Sequence, residues 1–442
     1  MLILLLITIV FIFFISILLF KGDFIHPGMI ISEVFLFSTL CALYNVNLWA
    51  IDLSWKTYTV IIFGIVIFVV TAYSATLCLR LFNWGSLETE QSQVIEIPKI
   101  QHIFSIAFSL FSGFYYVKEV LRIARSVGGG SKEWSVIMYH YRQATSYGVL
   151  EEGQGMSGLA GHMYDLMIAL SYVYLFIIIN NLLIQGVKVK KSLFLPLIIS
   201  SITTFMSAAR IQVLYFAMAA VVFFFILTYK KYGKDMVNAK QLIKIACFLI
   251  VIFICFVSLR GVIGRGLSEK ASSDPLYYFT VYAGGPIPLL DSFLKSPPVS
   301  SEIFGKELFF RINRFIGGTF NIPELIYISH KEFRYSVTGY SLGNVYTAFR
   351  SYIYDFGMSG LLLFTTLTSA FYSFFYGYVK LKPVSQNKSN TALIIYGYMV
   401  SGVFLMSISE RLFSIFFSVN SLKMICFIYL ANIFLTRMKF SR

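Results

Sequence analysis

The chain has 442 residues, 57% of them hydrophobic and only 13% charged, with a mean hydropathy of +0.75. Water-soluble domains run at about 45–50% apolar and about 25% charged, so a soluble enzyme, a coiled coil and a disordered chain are excluded. The formal net charge of +15 is scattered between apolar runs, with no basic stripe or base-stacking module, so no nucleic-acid partner is expected.

Crossing about 30 Å of hydrocarbon takes about 20 apolar residues. In chain order such runs lie near 2–20, 28–46, 57–79, 101–118, 160–184, 192–208, 211–229, 242–259, 358–379, 391–408 and 412–436. The stretch Leu193–Thr228 is too long for one span and is interrupted at Arg210, which predicts a tight hairpin. The first run lacks the basic n-region and small-residue cleavage site of a signal peptide and is read as a retained helix. The expected fold class is an all-α integral membrane protein of about eleven transmembrane helices, a single polytopic domain over 1–442 in the lipid bilayer. The 45 Phe and 29 Tyr suit lipid-facing helices with aromatic belts at the interfaces.

Short loops set the orientation through their Lys and Arg. Lys188, Lys190 and Lys191, then Lys230, Lys231 and Lys234, then Lys380, Lys382 and Lys388 fall on one side, with Arg437, Lys439 and Arg442 in the tail. That side is read as cytoplasmic. Two longer segments then lie outside: 119–159, a first outer loop with an amphipathic stretch Trp134–Tyr147, and 260–357, between spans 8 and 9. The second is too long for a mere connector. Within it Pro275–Leu294 is apolar and aromatic but broken by Gly284-Gly285-Pro286 and Pro288, the pattern of a re-entrant or interfacial helix.

Of the arginines, only Arg80, Arg437 and Arg442 are cytoplasmic under this topology, whereas most lysines are. Lysine suffices as a topology charge, while the planar arginine fork grips phosphate or carboxylate at two points. An arginine-rich outer face therefore suggests an anionic ligand, with diphosphates the obvious class; snorkelling to headgroups is the bland alternative. Arg210 at the hairpin tip, Arg260 closing a span, Asp355 opening one and Glu410-Arg411 in the turn before the last all fall at the outer boundary. Ionisable groups at membrane depth tend to face a cavity or one another.

Other chemistries find no support. Cys41, Cys78, Cys247, Cys255 and Cys426 sit in or beside apolar runs, where cysteine behaves as a small hydrophobe. Gly128–Lys132 is not ordered as a phosphate loop, and no HExxH motif, paired cysteines or GxSxG elbow is present. No metal or cofactor is expected. No internal repeat or pair of matching broken helices supports a secondary transporter.

The segment Gly339–Leu362, GYSLGNVYTAFRSYIYDFGMSGLL, resembles the long-loop end of Wzy-type polymerases of O-antigen and capsule repeat units. The elements are Asn344, Tyr346-Thr347, Tyr354-Asp355-Phe356-Gly357 and Gly360; Ser207-Ala208-Ala209-Arg210 and Leu259-Arg260-Gly261 are similar to the same family's arginine positions. The resemblance implies a lipid-linked-sugar glycosyltransferase-like fold, working outside the cytoplasmic membrane on polyprenyl-diphosphate-linked oligosaccharides. Its implied partners are those lipids, with the chain-length regulator and flippase of the same pathway as further candidates. The leaving diphosphate calls for charge stabilisation, for which Arg210 and Arg260 are expected, assisted by Arg314 or Arg411, with Tyr340 and Asn344 as further substrate contacts. The acceptor hydroxyl calls for a general base; Asp355, Glu410 and His330 are the candidates, an acidic residue at the membrane boundary slightly preferred. An O-antigen ligase, whose family usually relies on a loop histidine, and a flippase or transporter of lipid-linked oligosaccharides are the competing readings.

Overall fold

A computed structural model describes residues 1–81, 93–128, 130, 132–146, 155–184, 188–207, 211–233, 274–328, 330–381 and 390–438. Among these residues the chain is almost entirely helical, and eight helices are long and apolar enough to cross a membrane: Leu2–Leu19, Pro27–Tyr44, Trp55–Leu81, Lys99–Gly128, Gly158–Leu182, Ile211–Tyr232, Ala348–Leu381 and Val419–Thr436. The expected spans at 192–208 and 391–408 appear as the shorter apolar helices Lys191–Phe205 and Thr391–Phe404. The expected span 242–259 lies outside the described residues. Large apolar side chains such as Ile3, Phe11, Phe14 and Leu18 remain exposed on the first helix, as helices solvated by lipid require.

Two boundaries differ from the sequence pattern. The last helix starts only at Val419, because Leu412–Phe416 forms a separate, wide π-helical turn with two of its N–H groups taken by Glu410. The helix expected from 358 begins at Ala348 and is broken at Gly357, where φ is 63° and ψ −154°. That region is essentially restricted to glycine.

The chain divides into two compact units, the first built from 1–86, 267–381 and 399–421, the second from 87–266, 382–398 and 422–442. In the first unit Trp55–Leu81 packs along Ala348–Leu381, and Pro27–Tyr44 packs on Leu2–Leu19, Trp55–Leu81 and Pro275–Gly284. Without a hydrophobic drive between helices in lipid, small residues and hydroxyl groups join them. A Cβ at Gly64 would come within 2.4 Å of the Phe349 ring, which stacks on Phe35 at 5.1 Å. Ser369 Oγ donates to the Phe68 carbonyl at 2.6 Å and Ser38 Oγ to the Ala283 carbonyl at 2.6 Å.

The apolar stretch broken by glycine and proline becomes two short helices, Pro275–Gly284 and Pro286–Lys295. They are inside the unit: Tyr278, Ile287, Leu289, Leu290 and Phe293 are buried, and a Cβ at Gly284 would meet the backbone of Ala42 at 2.5 Å. Asp291 ties this pair to the start of Trp55–Leu81, accepting from Ser54 N at 2.9 Å and from Ser54 Oγ and Thr57 Oγ1 at 2.6 Å each, which supplies acceptors where a helix start presents unpaired N–H groups. The helix Phe310–Phe320 and a small antiparallel ribbon follow, β1 (Arg334–Tyr335) and β2 (Ser341–Gly343), with Arg334 opposite Gly343.

In the second unit Lys99–Gly128 packs against Gly158–Leu182, Leu195–Phe205 and the amphipathic helix Trp134–Ser146. The apolar side of the last buries Ile137, Met138, Tyr141 and Ala144 against Val120, Ile123 and Ala124.

Candidate functional site

The richest set of charged contacts among the described residues lies in the first unit, where the segment 304–346 folds onto the start of Ala348–Leu381. Three residues, Arg350, Glu307 and Lys331, form its centre, with side chains 1%, 10% and 19% exposed. Arg350 Nη1 pairs with Glu307 Oε1, and its Nη2 reaches Glu332 Oε2 at 2.6 Å. The guanidinium lies 4.3 Å from the Tyr346 ring centre and 5.0 Å from that of Phe293, a stacking arrangement open to the flat arginine head and not to an ammonium. The other Glu307 oxygen accepts from Ser351 Oγ at 2.8 Å and faces Lys331 Nζ at 3.3 Å, while Lys331 also donates to Ser351 Oγ at 2.8 Å. Burial pushes the Glu307 carboxyl up, but the charges of Lys331 and Arg350 outweigh it and hold the group below the usual glutamate range.

This cluster fixes a strand. Three residues in and just before β1 contribute contacts: Lys331 to Glu307, Glu332 to Arg350, and Arg334 to Glu332 at 3.0 Å and the Ser296 carbonyl at 2.6 Å. Tyr346 OH donates to the Glu332 carbonyl at 3.1 Å. The tip of the ribbon is hooked by Thr338 Oγ1, which donates to the Leu48 carbonyl at 2.6 Å.

Two of the residues expected as general bases hold backbone. Asp355 accepts from Leu308 N at 2.8 Å and from Glu307 N at 3.1 Å, with its second oxygen 3.2 Å from the same Glu307 N. Glu410, 6% exposed, accepts from Phe413 N at 2.8 Å and Ser414 N at 2.9 Å. Burial pushes the Glu410 carboxyl above its ordinary range despite these donors. Lys331, which pairs with Glu307, also acts on Glu410 through its charge and pulls the other way. The third expected base, His330, is exposed, with Nδ1 3.3 Å from Asn344 Nδ2. An asparagine amide offers its oxygen and its NH2 at nearly the same place, so Asn344 can hold the imidazole in either tautomer.

The expected substrate contacts separate into two groups. Tyr340 is half-buried in the ribbon, its ring 6.1 Å from that of Tyr277. Arg314 is exposed on Phe310–Phe320, and that helix packs against the turn Leu412–Phe416 that follows Arg411. Phe309, Phe356, Phe364 and Phe413 fill this junction, with ring centres between 4.9 and 6.3 Å apart. Arg210 and Arg260 lie outside the described residues.

Sequence reasoning did not single out Arg350, Glu307, Lys331, Glu332 or Arg334. The available signal was Arg350 itself, a charge inside the apolar stretch Ala348–Tyr354, in a chain with only 21 acidic residues to pair with it. No protein-family model, curated protein or solved structure matches the chain.

Proposed function

We propose that the chain is a membrane glycosyltransferase that polymerises polyprenyl-diphosphate-linked oligosaccharide repeat units on the outer face of the bacterial cytoplasmic membrane. The growing glycan passes from its diphosphate to a hydroxyl of the incoming unit, the hydroxyl proton goes to a base, and polyprenyl diphosphate leaves. In this reading the lysine-rich loops face the cytoplasm, about eleven spans cross the bilayer, and the segment 260–357 lies outside.

One observation carries the proposal. The motif residues that resemble the Wzy-type polymerases build a single anchored structure at the end of a membrane-length helix: Asn344 on His330, Tyr346 under Arg350, Asp355 on the Glu307 turn, and Gly357 at the break. We assign the base to His330. A base needs a lone pair that reaches the acceptor hydroxyl; His330 is exposed, whereas the carboxylates of Asp355 and Glu410 are occupied by main-chain N–H groups. Arg314 and Arg411 are the described cations suited to the developing charge on the diphosphate, with Arg210 and Arg260 as the other two.

A loop histidine is also what an O-antigen ligase would use, so the glycan phenotype of a deletion separates the activities. Loss of a polymerase is expected to leave one repeat unit on the acceptor lipid. Loss of a ligase or a flippase leaves none, and unchanged long polymer would remove all three readings.

A further inference from the structure

The second unit contains a separate cluster of polar groups where the ends of three helices meet the middle of a fourth. Asp165 and His162 stand in the first two turns of Gly158–Leu182, Lys423 in the second turn of Val419–Thr436, Tyr116 on Lys99–Gly128, and Thr204 in the last turn of Leu195–Phe205. Lys423 Nζ lies 2.7 Å from Asp165 Oδ2 and 3.2 Å from His162 Nδ1. Ammonium groups only donate, so Nδ1 must accept, and the imidazole proton is on Nε2. The lysine thus orients both neighbours while leaving them accessible: its side chain is 23% exposed, that of Asp165 33%, and His162 is exposed.

Beside them, the Tyr116 and Tyr164 rings stack at 4.2 Å with 19° between planes. Tyr164 OH is fixed by Thr204 Oγ1 at 2.9 Å. Ionisable groups at the end of apolar helices cost free energy to keep there and tend to mark function. An internal lock would need only Lys423 and Asp165. It would not need an exposed histidine turned by the same lysine, next to a paired aromatic platform.

We propose that this convergence is a sugar-binding subsite. A pyranose presents vicinal hydroxyl groups at its edge, each able to give and to take a hydrogen bond, and a face of C–H groups. Asp165 accepts from one hydroxyl, His162 Nε2–H donates to the next, and the C–H face rests against the partly exposed rim of the Tyr116–Tyr164 pair. The two polar roles are complementary because a carboxylate can only accept and an imidazole N–H can only donate. The inference deepens the polymerase reading by giving the glycan a resting place, but its test involves no turnover. It can therefore fail while polymerisation stands, or hold while polymerisation fails.

The test is saturation-transfer NMR on the full chain in phospholipid nanodiscs free of sugar detergents. The probes are the methyl glycosides of glucose, galactose, mannose and their N-acetylamino counterparts. Transfer is expected to the ring protons of at least one glycoside. A hydrogen bond to a charged group contributes enough that Asp165→Asn should weaken binding about tenfold. Lys423→Gln, which removes the donor that orients both partners, should weaken it in the same direction and serves if Asp165→Asn does not elute as a single folded species. No transfer to any of the glycosides, or undiminished binding in the folded variants, would overturn the subsite.

Discussion

Arg350→Ala is expected to destabilise the first unit by about 3–5 kcal/mol, the cost of removing one partner from a buried ion pair. Two carboxylates, Glu307 and Glu332, would lose their common cation, and Tyr346 and Phe293 would face a void where the guanidinium lay. Arg350→Lys should recover little of this. A compact ammonium cannot reproduce the two separated donors that reach Glu307 and Glu332, or lie flat on an aromatic ring. Thermal unfolding of the purified protein, with proteolysis of the segment 296–343 as a local readout, checks both variants. Wild-type stability in Arg350→Lys would show that only the charge matters there.

The second large effect concerns Asp355. Asparagine keeps the shape but turns an NH2 group toward the N–H groups of Glu307 and Leu308, which both oxygens now accept. Losing one such charge-assisted bond costs about 1.5–3 kcal/mol, so Asp355→Asn should lower the amount of folded protein. Polymer per folded molecule should be unchanged. His330→Ala is expected to do the opposite, leaving protein level intact and abolishing polymer. Normal amounts of folded Asp355→Asn protein with no polymer would transfer the role of base from His330 to Asp355.

Much of the membrane architecture was legible because its signal is local. A run of apolar residues of sufficient length forms a helix wherever it sits, and eight expected runs appear as membrane-length helices among the described residues. The amphipathic stretch from Trp134 and the break at Gly284-Gly285-Pro286 were local in the same way. The charged centre was not. Glu307, Glu332 and Arg350 are separated by 18 to 43 positions, and nothing in the spacing of a lone glutamate says which cation it will meet. Asp355 was ambiguous for a related reason: a carboxylate near the start of an apolar helix reads equally well as a base or as a staple, and the Glu307 and Leu308 N–H groups that it accepts from lie 48 and 47 positions away. His330 carried less weight in the sequence because a lone loop histidine has no pattern. Its place beside Asn344, in the segment leading into β1, comes from contacts made far along the chain.

The most direct measurement is turnover by the purified chain in liposomes loaded with a polyprenyl-diphosphate-linked repeat unit as its sole glycan. A ladder of longer lipid-linked oligosaccharides should form, with one polyprenyl diphosphate released for each unit added, and His330→Ala liposomes should show neither product. Repeat units that stay single, with no polyprenyl diphosphate released by the wild-type chain, would contradict the polymerase assignment.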